Sequence, residues 1–66
     1  MIKVGDIVRL NVKNDMFHDA KGLVIQRVDA PDHMVDGYYF RILLFDGHLI
    51  IGLPDEIELL ENEMEI

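Results

Sequence analysis

The sequence predicts a small all-β domain in which five short strands close into a barrel. Three observations carry this: strand-like runs bounded by Gly, Asp and Pro turn signals, no helical periodicity longer than about one turn, and a length of only 66 residues. A chain this short holds one domain with a core near the lower limit for independent folding. Closing the sheet would remove the exposed edges that so small a protein can hardly cover in another way.

The elements follow in order. Gly5-Asp6 is a turn pair before IVRLNVK, where Val8, Leu10 and Val12 alternate with Ile7, Arg9, Asn11 and Lys13 to give a first strand with one mostly polar face. Residues 14–22, NDMFHDAKG, lack any alternation and read as a loop whose Met16 and Phe17 fold back over one end of the core. LVIQRV, residues 23–28, is a second strand rich in β-branched residues. DAPDHMVDG, 29–37, is a second loop, and YYFRILLF, 38–45, is the strongest strand signal, with apolar residues on both faces as a curved sheet requires. Asp46-Gly47 supplies what a two-residue type I′ hairpin needs, positive φ at both central positions. HLIIGL, 48–53, completes that hairpin; Leu53-Pro54-Asp55-Glu56 reads as one turn of helix and Ile57 to Leu60 as a closing strand.

Composition narrows the function classes. The net charge of −7 is unevenly placed: residues 1–45 hold six Lys and Arg against six Asp, whereas residues 46–66 hold seven acids and no Lys or Arg. Such a carboxy-terminal part repels phosphate backbones and favours basic partners. The sequence has no Cys, Ser or Thr, so thiol and hydroxyl nucleophiles are missing, and the paired carboxylates at Asp55-Glu56 and in the tail are expected to be solvated. No enzyme activity and no cofactor are expected. His33 with Asp29, Asp32 and Asp36 is the best metal-like grouping, but its spacing matches no zinc or calcium pattern, so no metal is expected. Single glycines form no phosphate-binding loop. The apolar runs at 42–45 and 49–53 are too short to cross a bilayer, and the start MIKVGD lacks the apolar stretch of a signal peptide. A cytoplasmic protein, or one of a host cytoplasm or virion, is the simplest expectation.

VGDIVRL, MFHDAKGLVIQRVD, YYFRILLFDG and LPDEIELLE resemble, in order and spacing, the KOW and Tudor-type SH3-like barrels, including the carboxy-terminal domain of the transcription factor NusG. Short bacteriophage proteins of unknown role look similar. The resemblance spans nearly the whole chain and implies a five-stranded SH3-like barrel over residues 1–60, with a short 3-10 turn before the last strand and an acidic tail at 61–66. It matches Lys21-Gly22 to the KOW glycine, expected to allow close backbone approach or positive φ at the entry to the second strand. RNA-gripping KOW domains carry basic loops, whereas the loops here carry Asp15, Asp19, Asp29, Asp32 and Asp36.

Two surfaces are therefore expected to carry function. Met16, Phe17, Tyr38, Tyr39 and Phe45 form the candidate protein-binding patch of an adaptor or structural subunit, with Met34 as an adaptable neighbour. Arg9, Lys13, Arg27 and Arg41 alternate outward on the predicted strands and form the alternative, a basic stripe for nucleic acid, which the acidic charge disfavours. A further alternative is an acidic inhibitor that mimics nucleic acid. Apolar residues on both faces of 38–53 fit a tight barrel or a face covered by another subunit, so a homo-oligomer or larger assembly is compatible with the sequence.

Overall fold

The computed structural model describes residues 2–13 and 15–60. Five strands, β1 (Ile7–Leu10), β2 (Lys21–Asp29), β3 (Tyr38–Leu44), β4 (Leu49–Gly52) and β5 (Ile57–Leu59), are joined with a single 3-10 turn, Pro54–Glu56. They form one antiparallel sheet in the order β4-β3-β2-β1-β5. The expected all-β class, the five strands and the turn before the last of them are all present. The acidic tail lies outside the described residues.

One face of the sheet makes the core. Val8 pairs with Gly22 on one side and Leu59 on the other, and Gly22 pairs with Leu44, so these positions share a face. The next row brings Val24, Ile42 and Ile50 together on that face. Val8, Leu10, Val24, Phe40, Ile42, Leu44 and Ile57 are buried there, and no polar or charged residue is buried among the described residues. Gly22 is needed for this packing. A Cβ at this position would stand 2.7 Å from the Leu43 carbonyl oxygen and 3.0 Å from the Leu44 Cα, so only glycine lets β3 approach so closely. Its φ is not in the left-handed region, and it lies within β2 rather than in the loop before it.

The sheet curls but does not close. β4 and β5 stand at opposite ends of the strand order, four spacings of about 4.8 Å apart were the sheet flat. Yet a Cβ on Gly52 would lie 3.0 Å from Ile57 Cγ2. No ladder joins β4 to β5 among the described residues, so the sheet is curled and open there, and hydrogen bonds do not complete the closure expected from the sequence. The reason lies at residues 53–57. The Leu53 N–H donates to the Glu56 carboxylate at 3.3 Å and the Glu56 N–H donates to the Leu53 carbonyl at 2.9 Å, which turns the chain out of the β4 ladder. Ile57 then pairs with Leu10 instead of with β4.

Three local expectations are also corrected. β1 ends at Leu10 rather than Lys13, because Leu10 already exchanges hydrogen bonds with Asp19 and Ala20 (2.9 and 2.8 Å) and the Val12 carbonyl accepts the Asp15 N–H at 3.2 Å, which makes a turn. The same exchange starts β2 two residues early, at Lys21. At the β3–β4 connection only Gly47 has positive φ, +100°, so the turn is not type I′. The Gly47 N–H donates to Leu44 at 2.9 Å and the Leu44 N–H donates to His48 at 2.7 Å, giving a three-residue loop, 45–47. Asp46 keeps negative φ while its carboxylate accepts the His48 N–H at 3.0 Å, the local bond for which aspartate is favoured in turns.

Candidate functional site

Side chains alternate between the two faces of a strand, so the residues between the core positions face outward. Ile7, Leu23, Leu43 and Leu49 are mutual register partners across β1, β2, β3 and β4, which lines four aliphatic side chains in one row on the outer face. Ile51 stands in the next row opposite Arg41. Ile25 occupies the irregularity in β2 between Val24 and Gln26. Leu43, Leu49 and Ile51 are 40, 48 and 57 % exposed, and Phe45, just beyond the end of β3, is 66 % exposed. Among the described residues, no helix packs on this face of the sheet. Apolar residues gathered on one exposed face mark a contact surface far more often than isolated ones do.

The structure divides the aromatic residues singled out in the sequence. Phe17 folds back onto the core as expected, and its ring tilts against His48 at 5.3 Å. Met16, expected to fold back with it, instead points to solvent and is 87 % exposed. Tyr38 lies at the other end of β3, six residue steps or about 20 Å from Leu44. It faces inward, edge-on to Phe40 at 5.4 Å. Tyr39 points to the opposite face, beside Val28. Phe17 and Tyr38 thus cap opposite ends of the core, while Tyr39 shares the outer side of β3 with Leu43. Tyr38 also borders a cleft of about 420 Å³ with Met34, Val35 and Leu53, where Asp36 and Asp55 supply the charge.

The four cations do not form a stripe. Arg9 donates to Glu58 at 2.9 Å and lies 4.0 Å from Asp19, which ties β1 to β5 and to the first loop. Arg41 faces outward and contacts Gln26 at 3.5 Å. Arg27 was expected on that same face. The β2 irregularity adds a residue between Val24 and Gln26, which reverses the alternation and makes Arg27 the partner of inward-facing Phe40. Its guanidinium carbon sits 3.9 Å from the Tyr38 ring centroid and its Nε bonds Asp29 at 3.2 Å. Lys13 stands exposed in the first loop, outside every strand.

The titratable groups make local bonds. His48 Nδ1 lies 2.9 Å from Asp46 Oδ2, and the backbone N–H of His48, followed by its side chain, holds the Asp46 carboxyl below its ordinary value. His18 Nε2 lies 3.6 Å from Asp19 Oδ2. Among the described residues, no three His, Asp or Glu side chains gather into a group that could hold a metal ion. No helix among them is long and apolar enough to cross a membrane.

The aliphatic row is the feature that reading for aromatics missed. Its signal was present in the runs ILLF and LIIGL, which place apolar residues on both faces of two neighbouring strands although only one face makes the core. Comparison of the chain with models of known protein families, with curated proteins and with solved structures finds no match.

Proposed function

We propose that this chain is a non-enzymatic protein-interaction module, an adaptor or structural subunit built on an SH3-like barrel, that docks a partner on the outer face of its β3–β4 hairpin. The observation carrying this reading is the exposed apolar surface of Leu43, Phe45, Leu49 and Ile51, extended across the sheet by Ile7 and Leu23. Burying such surface contributes about 25 cal/mol per Å², and large apolar side chains near the centre of an interface carry most of its affinity. The barrel reading is supported by the strand order, by the 3-10 turn before β5 and by the nearness of Ile57 to Gly52, where an added Cβ would lie 3.0 Å from Ile57 Cγ2.

The test begins with capture of a partner from the cells that make the protein, followed by titration of that partner in purified form. Leu43→Lys and Leu49→Ser, checked for folding by circular dichroism, are each expected to weaken binding at least 10-fold. Lys13→Ala is expected to bind as the parent does. Folded outer-face variants that bind unchanged would sink the proposal.

A further inference from the structure

The same hairpin offers a second recognition element, its free edge. Leu44 donates its N–H to His48, which fixes the parity of the β3–β4 ladder. Ile50 and Gly52, paired with Ile42 and Phe40, therefore direct their backbone groups toward β3, while Leu49 and Ile51 direct theirs away from the sheet. No strand of the described chain pairs with that side of β4. Nothing within Leu49–Gly52 protects the edge: the segment has no charge, no proline and no bulge.

Alongside this edge runs the opening of the curled sheet. A cleft of about 100 Å³ lies there, lined by Leu10, Val12, Phe17, Ile50 and Ile51 and by the acidic residues Asp15 and Glu56. No Lys or Arg lines it. Asp46 stands before β4 and Asp55 after it, so acids border the edge at both ends as well as along its far wall.

From this geometry we infer that β4 accepts an extended strand of a partner protein, aliphatic at its centre and flanked by Lys or Arg. The inference rests on the interaction-module reading and names the partner's chemistry. The added strand takes the backbone groups of Leu49 and Ile51, one inward side chain enters the cleft, and its flanking cations meet Asp46, Asp55, Asp15 and Glu56. A second copy of this chain is the wrong occupant. An antiparallel β4–β4 pairing centred on Ile50 would bring Asp46 of one copy toward Asp55 of the other.

The experiment uses a synthetic peptide of alternating Val and Thr with two Lys at each end, and a control in which Glu replaces Lys. Fluorescence anisotropy at low and moderate salt reads binding, and amide hydrogen exchange reads the site. The lysine peptide is expected to bind at least 10-fold more tightly than the glutamate one, to weaken with salt and to protect the Leu49 and Ile51 amides. Ile51→Pro removes one outward N–H and leaves the β3 ladder intact. It is expected to weaken the peptide at least 10-fold, whereas Asp32→Asn, an exposed position in the loop between β2 and β3, binds as the parent does. Equal binding of both peptides, protection elsewhere, or undiminished binding by a folded Ile51→Pro variant would overturn the inference. Protection that grows with protein concentration without peptide would show self-pairing and overturn it too. Sensitivity of the captured partner to Leu43→Lys but not to Ile51→Pro would reject the edge and keep the outer face; the reverse would reject the face.

Discussion

Arg27 stands over Tyr38, its guanidinium carbon 3.9 Å from the ring centroid, and Tyr38 in turn meets Phe40 edge-on at 5.4 Å. A cation thus covers one face of the tyrosine that packs against the core. Replacing Arg27 with Ala is expected to cost about 1 kcal/mol, reduced from the value of a desolvated pair because the side chain is 46 % exposed. Arg27→Lys is expected to recover part of this. Urea unfolding of the three proteins checks it, and equal midpoints would show that the stack contributes nothing.

Two glycines are expected to respond differently to the same change. At Gly22 a methyl group meets the backbone of β3, with the Leu43 oxygen at 2.7 Å, so Gly22→Ala forces two strands apart and is expected to cost about 2–3 kcal/mol. At Gly52 it meets the side-chain ends of Ile42 and Ile57, at 2.6 and 3.0 Å. Gly52→Ala is expected to cost less, and Ile42→Val, which removes the Cδ1 methyl, to reduce that cost in the double variant. Thermal denaturation of the parent, the two single variants and the double variant reads this coupling.

The hairpin turn gives stability a defined pH dependence. Asp46 has its carboxyl below the ordinary value of 3.8, chiefly through the His48 backbone N–H and then through the His48 side chain. A depressed folded-state value means that the ionised form is favoured by folding. The stabilisation is therefore present above the unfolded value of about 3.9 and is lost as pH falls through the lower folded one. Asp46→Ala is expected to melt below the parent at pH 7, with the gap narrowing below about pH 4. A gap that stays constant down to pH 2 would contradict the role given to its charge.

The Arg9 contacts lead to a test of how β5 is held. Arg9 reaches Glu58 at 2.9 Å across the β1–β5 pair, and both side chains are about two-fifths exposed. Glu58→Gln is therefore expected to cost at most about 0.5–1 kcal/mol, with the loss shrinking in high salt. Denaturant midpoints at two salt concentrations decide it.

The strands were legible because Gly, Asp and Pro punctuate the apolar runs, and the core was legible where alternation held, as at Val8 and Leu10, but not in 38–45, where apolar residues on both faces hid the inward set Phe40, Ile42 and Leu44. The place of Arg27 was not. An extra residue near Ile25 changes which later side chains face inward, and nothing in LVIQRV distinguishes a bulge from regular pairing. The turn type at Asp46 was hidden for a related reason: Asp-Gly suits two hairpin geometries, and the side-chain bond to His48 accompanies the three-residue one. The turn that opens the sheet was legible in Leu53-Pro54-Asp55-Glu56, where the Glu56 carboxylate accepts the Leu53 N–H three residues back, but its effect on β4–β5 pairing depends on where β1 and β5 meet. The aliphatic row was half legible. Its residues read as apolar, but which of them would stay exposed depended on register across four strands.

The uncharged edge of β4 has one more consequence, for how the protein stays dispersed. A strand with free backbone groups and aliphatic side chains is a template for stacking identical chains, and its guards are the carboxylates outside it, Asp46 on one side and Asp55 and Glu56 on the other. Those guards act through charge at an exposed surface, which dissolved salt screens. High salt weakens their repulsion while the fold persists, so slow growth of fibrils or precipitates should begin there, well before global unfolding.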